Sequence, residues 1–203
     1  MALFDVIKNQ VTSQLKREAS KAVNNMAQNA SQAIAKGSNH TESFTFVSLP
    51  ASVAELKTLP EASLDSAFKT TALCIAVLCN WEKDANATWE MLDYLKGPES
   101  VSEREKAFIK ERLAGKQYKT LSFFKGATPD NGYTPATPYT ITVSENPYSF
   151  YEENWATLYV TSGGADNPRP IKLRRKPSTT QWFVNEIQCL ADIRVPTEQD
   201  AWA

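Results

Sequence analysis

The densest chemical grouping in the sequence is cationic: Arg169, Lys172, Arg174 and Lys176 all fall within the stretch PRPIKLRRKP. Arg169 sits between Pro168 and Pro170, which hold the chain extended. If Lys172 and Arg174 share a strand face with Phe183, the result is a basic surface carrying one aromatic, able to clamp an anionic partner or stack a base. The competing reading is a solvated sheet face, with Arg174 resting on Phe183 and Arg175 on Trp182. Other reactive residue types do not assemble. His40 is the only histidine and lies in a linker, so Ser-His and Cys-His dyads have no base and the usual zinc ligand sets are incomplete. Cys74 and Cys79 share one apolar helix, point to different sides and read as core. Glu152 and Glu153 are adjacent on extended chain and face apart. Ser162-Gly163-Gly164 is followed by neither Lys-Ser/Thr nor a helix, which makes it a tight turn rather than a phosphate loop. No catalytic, cofactor-binding or metal-binding set is assigned.

Three antiparallel strands must position the cations. Trp155 to Thr161 alternates Trp155, Thr157 and Tyr159 with Ala156, Leu158 and Val160, a pattern suited to a pleated ribbon. Gly163-Gly164 ends it. Ile171 to Lys176 alternates Ile171 and Leu173 with Lys172, Arg174 and Lys176, and Pro177 to Thr180 then turns the chain into Gln181 to Ile187. A four-residue loop sets Leu173 opposite Val184 and Ile171 opposite Glu186 on the core face, with Arg174 opposite Phe183 and Lys172 opposite Asn185 outside.

Upstream, Ser43 to Ser48 reads as a short strand with Phe44 and Phe46 on one side, and Ser52 with Glu55 as a capping box. Ser63 or Asp65 opens the most buried helix, apolar on nearly every side from Ala72 to Leu78. Asn86 caps a third helix that stops at Gly97-Pro98, and Ser102 with Glu105 caps a fourth that closes at Gly115. The segment from 126 to 147 is rich in Pro, Thr and Gly and is broken by a strand from Tyr139 to Val143; such loops bind ligands or cover a sheet edge. Trp202 in the tail is expected to dock. Helices followed by a meander give an α+β class, with the helical block packed on an antiparallel sheet of about four to five strands and a C-terminal three-strand meander.

Residues 1–37 read as a separate basic amphipathic helix, ahead of a single α+β domain over 38–203. Phe4, Ile7, Val11, Leu15 and Met26 lead an apolar stripe in which Phe4, Leu15 and Met26 recur every eleven residues, a period that keeps one stripe on one side of a nearly straight helix. Lys8, Lys16, Arg17, Lys21 and Lys36 against Asp5 and Glu18 give this unit a net charge of +3, which leaves −4 for the rest of a chain of formal charge −1. The stripe can pack on its own domain, join a second copy or a protein partner, or lie on an anionic membrane surface. The near-neutral net charge disfavours nucleic acid as a general partner. No apolar run approaches the roughly 18 to 20 residues needed to cross a bilayer, and no secretory signal is evident. Three cysteines, Cys74, Cys79 and Cys189, read as reduced, buried thiols and point to the cytoplasm, with attachment at the inner membrane surface as the alternative.

The run SGGADNPRPIKLRRKPSTTQWFVNEIQCLADIRVPTEQDAWA, together with SFTFVSLPASVAELKTL and TTALCIAVLCNW, resembles a family of uncharacterised bacterial proteins. This is a domain of unknown function met mostly in Gram-positive anaerobes. The resemblance covers about Ser43 to Ala203 and implies a bacterial cytoplasmic protein; it brings no activity, cofactor or site residue. The functional expectation is a non-catalytic interaction or assembly protein that associates with itself or a protein partner through Phe4, Ile7, Val11, Leu15 and Met26. Arg169, Lys172, Arg174 and Lys176 form a candidate surface for an anionic partner. The alternatives are a peripheral membrane protein using the same helix and a small-molecule-binding or enzymatic α+β domain.

Overall fold

Alternation in five short segments builds the sheet. Phe44 and Phe46, Ile141 and Val143, Leu158 and Val160, and Ile171 and Leu173 all turn to one side and are buried, as period-two patterning requires of a sheet with one covered face. The computed structural model describes residues 39–202. The strands are β1 (Thr41–Phe46), β2 (Tyr139–Ser144), β3 (Trp155–Val160), β4 (Arg169–Arg175) and β5 (Trp182–Ile187). They lie in the order β1-β2-β3-β4-β5 and are antiparallel throughout. The class is α+β. The helix expected over residues 1–37, with the stripe from Phe4 to Met26, lies outside the described residues.

Between β1 and β2 runs the helical block: α1 (Val53–Leu56), α2 (Ala67–Leu78), α3 (Ala85–Lys96), α4 (Glu103–Leu113) and α5 (Tyr118–Leu121). Helix α2 is buried at every position except Lys69 and packs beneath all five strands. Its cap is Ser66, whose Oγ accepts from the Phe68 N–H at 3.2 Å, and not Ser63 or Asp65. Leu64 adopts a left-handed φ of 56° that ends the preceding 3-10 turn, so the chain can re-enter a helix only after Asp65. Asp65 instead pairs with Lys69 at 2.9 Å. For α3 the cap is Asp84, not Asn86: its carboxylate accepts from the Ala87 N–H at 2.9 Å, because the turn closed by Asp84 N–H on the Asn80 carbonyl delivers the chain earlier. The Ser102–Glu105 capping box forms as read, and α4 buries Ile109 and Leu113.

The β4–β5 register departs from simple alternation. Leu173 faces Val184 and Arg174 faces Phe183, but a bulge between Lys172 and Leu173 brings Glu186 opposite Lys172 and Ile187 opposite Ile171. Asn185 is the extra residue. The bulge sets an apolar partner, rather than Glu186, against buried Ile171.

The segment from 126 to 147 is an ordered cover rather than an open binding loop. Tyr133 is among its fully buried residues, stacked on Tyr118, and its hydroxyl donates to the Arg194 carbonyl at 2.7 Å. A Cβ on Gly164 would stand 2.1 Å from that hydroxyl, and one on Gly163 would stand 1.9 Å from the Ala127 carbonyl. These two glycines are kept for close approach; neither has a positive φ. Trp202 does not dock: it is 95 % exposed, because the chain leaves the body after the short turn Thr197–Gln199 and offers it no apolar wall.

Candidate interaction surface

Among the described residues the helices gather on one face of the sheet, and the opposite face of β3, β4 and β5 is left partly exposed, with the end of α3 reaching Phe183. Register places its side chains in two rows. Trp155, Arg174 and Phe183 form one row across three strands, and Thr157, Lys172 and Glu186 the next. The Arg174 guanidinium lies over the Trp155 ring at 5.2 Å, within the range of a cation–π contact, and not over Phe183. Phe183 is taken by the end of α3: Gly97, at φ 71°, sits so close that a Cβ there would be 2.3 Å from the ring. Arg175 rests over Trp182 at 6.0 Å, as the alternation suggested.

Two depressions adjoin on this face. One, of about 260 Å³, is lined by Phe183, Pro98 and Pro177, with Lys96, Arg174 and Lys176 around it and one carboxylate, Glu99, among them. The other, of about 380 Å³, is bounded by Trp155, Thr157, Lys172 and Glu186 on the strands and by Tyr148, Tyr151 and Glu152 on the loop before β3. Those tyrosines stand on the β2–β3 loop, 76 % and 71 % exposed. Asn185 borders both depressions, so they form one continuous surface.

The cations differ in what they have left to offer. Lys172 is paired with Glu186 at 3.5 Å. Lys96 is nearly buried and spans the Glu105 carboxylate at 2.5 Å and the Asn185 carbonyl at 3.2 Å. Burial opposes ionisation of Glu105, but hydrogen bonds from Lys96 and Ser102 outweigh it and hold the carboxyl below its usual range. Arg174, Arg175 and Lys176, by contrast, have no carboxylate partner among the described residues. The charges of Arg174 and Lys176 face the partly exposed side, whereas Arg175 turns with Trp182 to the other face, its Nε donating to the Thr180 carbonyl at 3.5 Å.

Of the four cations singled out in the sequence, Arg174 and Lys176 come together and Lys172 lies in the adjoining depression. Arg169 does not join them. It occupies the far end of β4 and donates to the Asp192 carbonyl at 2.6 Å, 4.0 Å from that residue's carboxylate. Sequence reasoning missed Trp155, Tyr148, Tyr151 and Lys96. Trp155 was within reach, since pairing β3 with β4 sets it opposite Arg174; the tyrosines lie in a loop with no period to place them.

Among the described residues no cluster of His, Cys, Asp and Glu is placed to hold a metal ion, and no helix is long and apolar enough to cross a membrane. The three cysteines are buried and unpaired by disulfides. A family model matches residues 48–197. The chain belongs to the DUF6935 family, a domain of unknown function. Searches of curated proteins and of solved structures find no match. The DUF6935 match contains the whole of the surface just described, from Lys96 to Glu186, whereas β1 precedes it.

Proposed function

We propose that this DUF6935 chain is a non-catalytic interaction protein that docks an acidic protein partner on the partly exposed face of β3, β4 and β5. One observation carries the reading: Arg174 and Lys176, with no carboxylate partner among the described residues, lie on the strand face that carries Trp155, and Tyr148 and Tyr151 border the adjoining depression. Trp, Tyr and Arg are the residue types that dominate the energetics of protein–protein interfaces. The guanidinium fork suits a carboxylate, and the apolar lining of Phe183 and Pro98 suits the body that carries it.

Trp155 lies under Arg174 on this face, so its fluorescence reports occupancy. A Glu-rich, tyrosine-containing peptide is expected to quench it saturably at low salt. The double variant Arg174→Glu with Lys176→Glu should weaken binding at least about tenfold, the scale of one or two charge-assisted contacts. Tyr148→Ala with Tyr151→Ala should weaken it without changing its salt dependence. Tighter binding of single-stranded oligonucleotide than of peptide would overturn the protein-partner reading.

The second part of the proposal concerns residues 1–36. The stripe Phe4, Ile7, Val11, Leu15 and Met26 joins the body to a second copy or to a partner helix, supported by its eleven-residue period and by a basic charge opposite to that of the body. Ile7→Asp or Leu15→Asp should reduce the mass measured by light scattering while leaving the body folded. Co-sedimentation with anionic vesicles that is lost on deleting residues 1–36 would favour the membrane-surface alternative instead.

A further inference from the structure

The two edges of the sheet are treated very differently. At β5 outward backbone groups at two positions are occupied: Trp182 N–H donates to the Leu64 carbonyl at 2.8 Å, the Thr70 hydroxyl donates to the Trp182 carbonyl at 3.0 Å, and Lys96 reaches the Asn185 carbonyl. The bulge at Asn185 twists that edge further. Strand β5 is closed to any further strand.

Among the described residues, strand β1 has none of this protection. His40 C=O accepts from Glu145 N–H at 2.9 Å, and hydrogen-bonded positions alternate along an antiparallel ladder. With Thr41 opposite Ser144, Glu42, Phe44 and Phe46 therefore bond to β2, while Thr41, Ser43 and Thr45 turn their N–H and C=O groups away from it. No partner is bonded to those outward groups among the described residues. All three residues are exposed. A straight six-residue strand with an open edge and no proline, lysine or bulge to blunt it is a template for another strand.

The geometry points to a second copy of this chain as the occupant, its β1 pairing antiparallel with this β1 about a two-fold axis through Ser43. In that register Ser43 faces Ser43 of the other copy and Thr41 faces Thr45. Every outward group then meets one of opposite kind, giving about six new backbone hydrogen bonds. The side chains agree. On the covered face Glu42 comes opposite Phe44 of the other copy, whereas a slip of two residues toward the strand's start would set Glu42 against Glu42, which like-charge repulsion disfavours. A slip toward its end leaves Thr41 outside the paired strand. On the open face a hydroxyl ladder already crosses β1 and β2, Ser43 to Thr142 at 3.3 Å and Thr45 to Thr140 at 3.2 Å. Self-pairing extends it unbroken into the other copy, a fit that an unrelated peptide has no reason to share.

This inference is independent of the partner surface and of residues 1–36, but it bears on both. The two sheets would join into one, five strands from each copy, with both open faces on the same side. Two surfaces around Arg174 would then be presented together, so that a divalent partner gains avidity without new contacts.

The test uses the full-length chain. Hydrogen-bonded antiparallel partners have Cα atoms about 5.5 Å apart, within the span of a disulfide. Ser43→Cys should therefore give a covalent dimer on mild oxidation. Thr45→Cys alone should not, yet should cross-link when mixed with Thr41→Cys. The native thiols are buried and stay silent. Ser43→Pro, which removes an outward N–H without taking a bond from β2, should raise the dimer dissociation constant at least about tenfold, with circular dichroism unchanged. Cross-linking of Thr45→Cys alone as readily as of Ser43→Cys would overturn the inference, and so would a chain monomeric at the highest soluble concentration. If Leu15→Asp dissociates the dimer and Ser43→Pro does not, association belongs to residues 1–36 and the β1 pairing is wrong.

Discussion

Three thiols lie in the centre of the molecule with no disulfide to make. Burial pushes Cys74 and Cys79 up to about 12 and raises Cys189 well above its ordinary value. The consequence is a thiol contribution to stability that depends on pH in the alkaline range. Below pH 9, the ordinary thiol value, the thiols are protonated in both states and their contribution to the fold is fully present. As pH rises above it, the unfolded chain ionises while the folded one does not, and stability falls by about 1.4 kcal/mol per pH unit for each thiol. Tyr118 and Tyr133, also raised by burial from 10.0, act in the same direction somewhat higher. The urea midpoint should therefore be flat from about pH 7 to 8.5 and drop steeply by about pH 10.5. Cys189→Ala should make the drop shallower; an unchanged slope in that variant would mean the thiols do not cause it. Their burial was legible in the sequence, since Cys74 and Cys79 fall on a helix apolar on nearly every side.

At the scale of elements, Lys96 ties α3 to β5 beside the close approach of Gly97 to Phe183. It closes the end of one helix onto the edge of the sheet by bridging Glu105 and the Asn185 carbonyl. Lys96→Met keeps the stem's packing but leaves both partners unpaired, with an expected loss of about 2 kcal/mol by urea denaturation at neutral pH. The pH dependence has a definite sign. Because the folded Glu105 carboxyl lies below its usual value of 4.5, its contribution is present above that value and fades as pH falls through the lower folded one. The gap between wild type and Lys96→Met should shrink toward pH 3. A gap that stays constant would place the loss in packing, not in the ion pair. This clamp also marks where the sequence stopped being readable. Alternation placed Leu173 opposite Val184 and Arg174 opposite Phe183, because each strand carries its own face in its pattern. The bulge at Asn185 answers to residues far away in the chain, Ile171 seeking an apolar partner and Lys96 seeking a carbonyl, and no local period records either. The shifted caps have the same origin: Ser66 and Asp84 were chosen by the turns that precede them, while every neighbouring Ser, Asp and Asn offered a similar side chain.

Taken whole, the molecule is a two-layer body whose layers meet through one element. Helix α2 touches all five strands, while the strands' other face, from Trp155 to Phe183, is partly exposed among the described residues and meets the end of α3 at Phe183. Helical period and strand alternation made this division legible, which is why the α+β class could be read from the chain. The interaction surface could be read only in part. It assembles Arg174 and Lys176 from β4 with tyrosines from one loop and a lysine from a helix end, a convergence that exists only after folding. The layered construction implies that stability and recognition are separable. Ile75, fully buried in α2, should cost about 2 to 5 kcal/mol when truncated to Ala. Because α2 underlies every strand, the loss should lower hydrogen-exchange protection across the sheet as one unit. Tyr148→Ala and Tyr151→Ala should change stability by less than about 0.5 kcal/mol, as exposed positions do, while reducing peptide binding. If Ile75→Ala instead weakened protection only in α2 and left the sheet as it was, the two layers would be independent units and the central place given to this helix would be wrong.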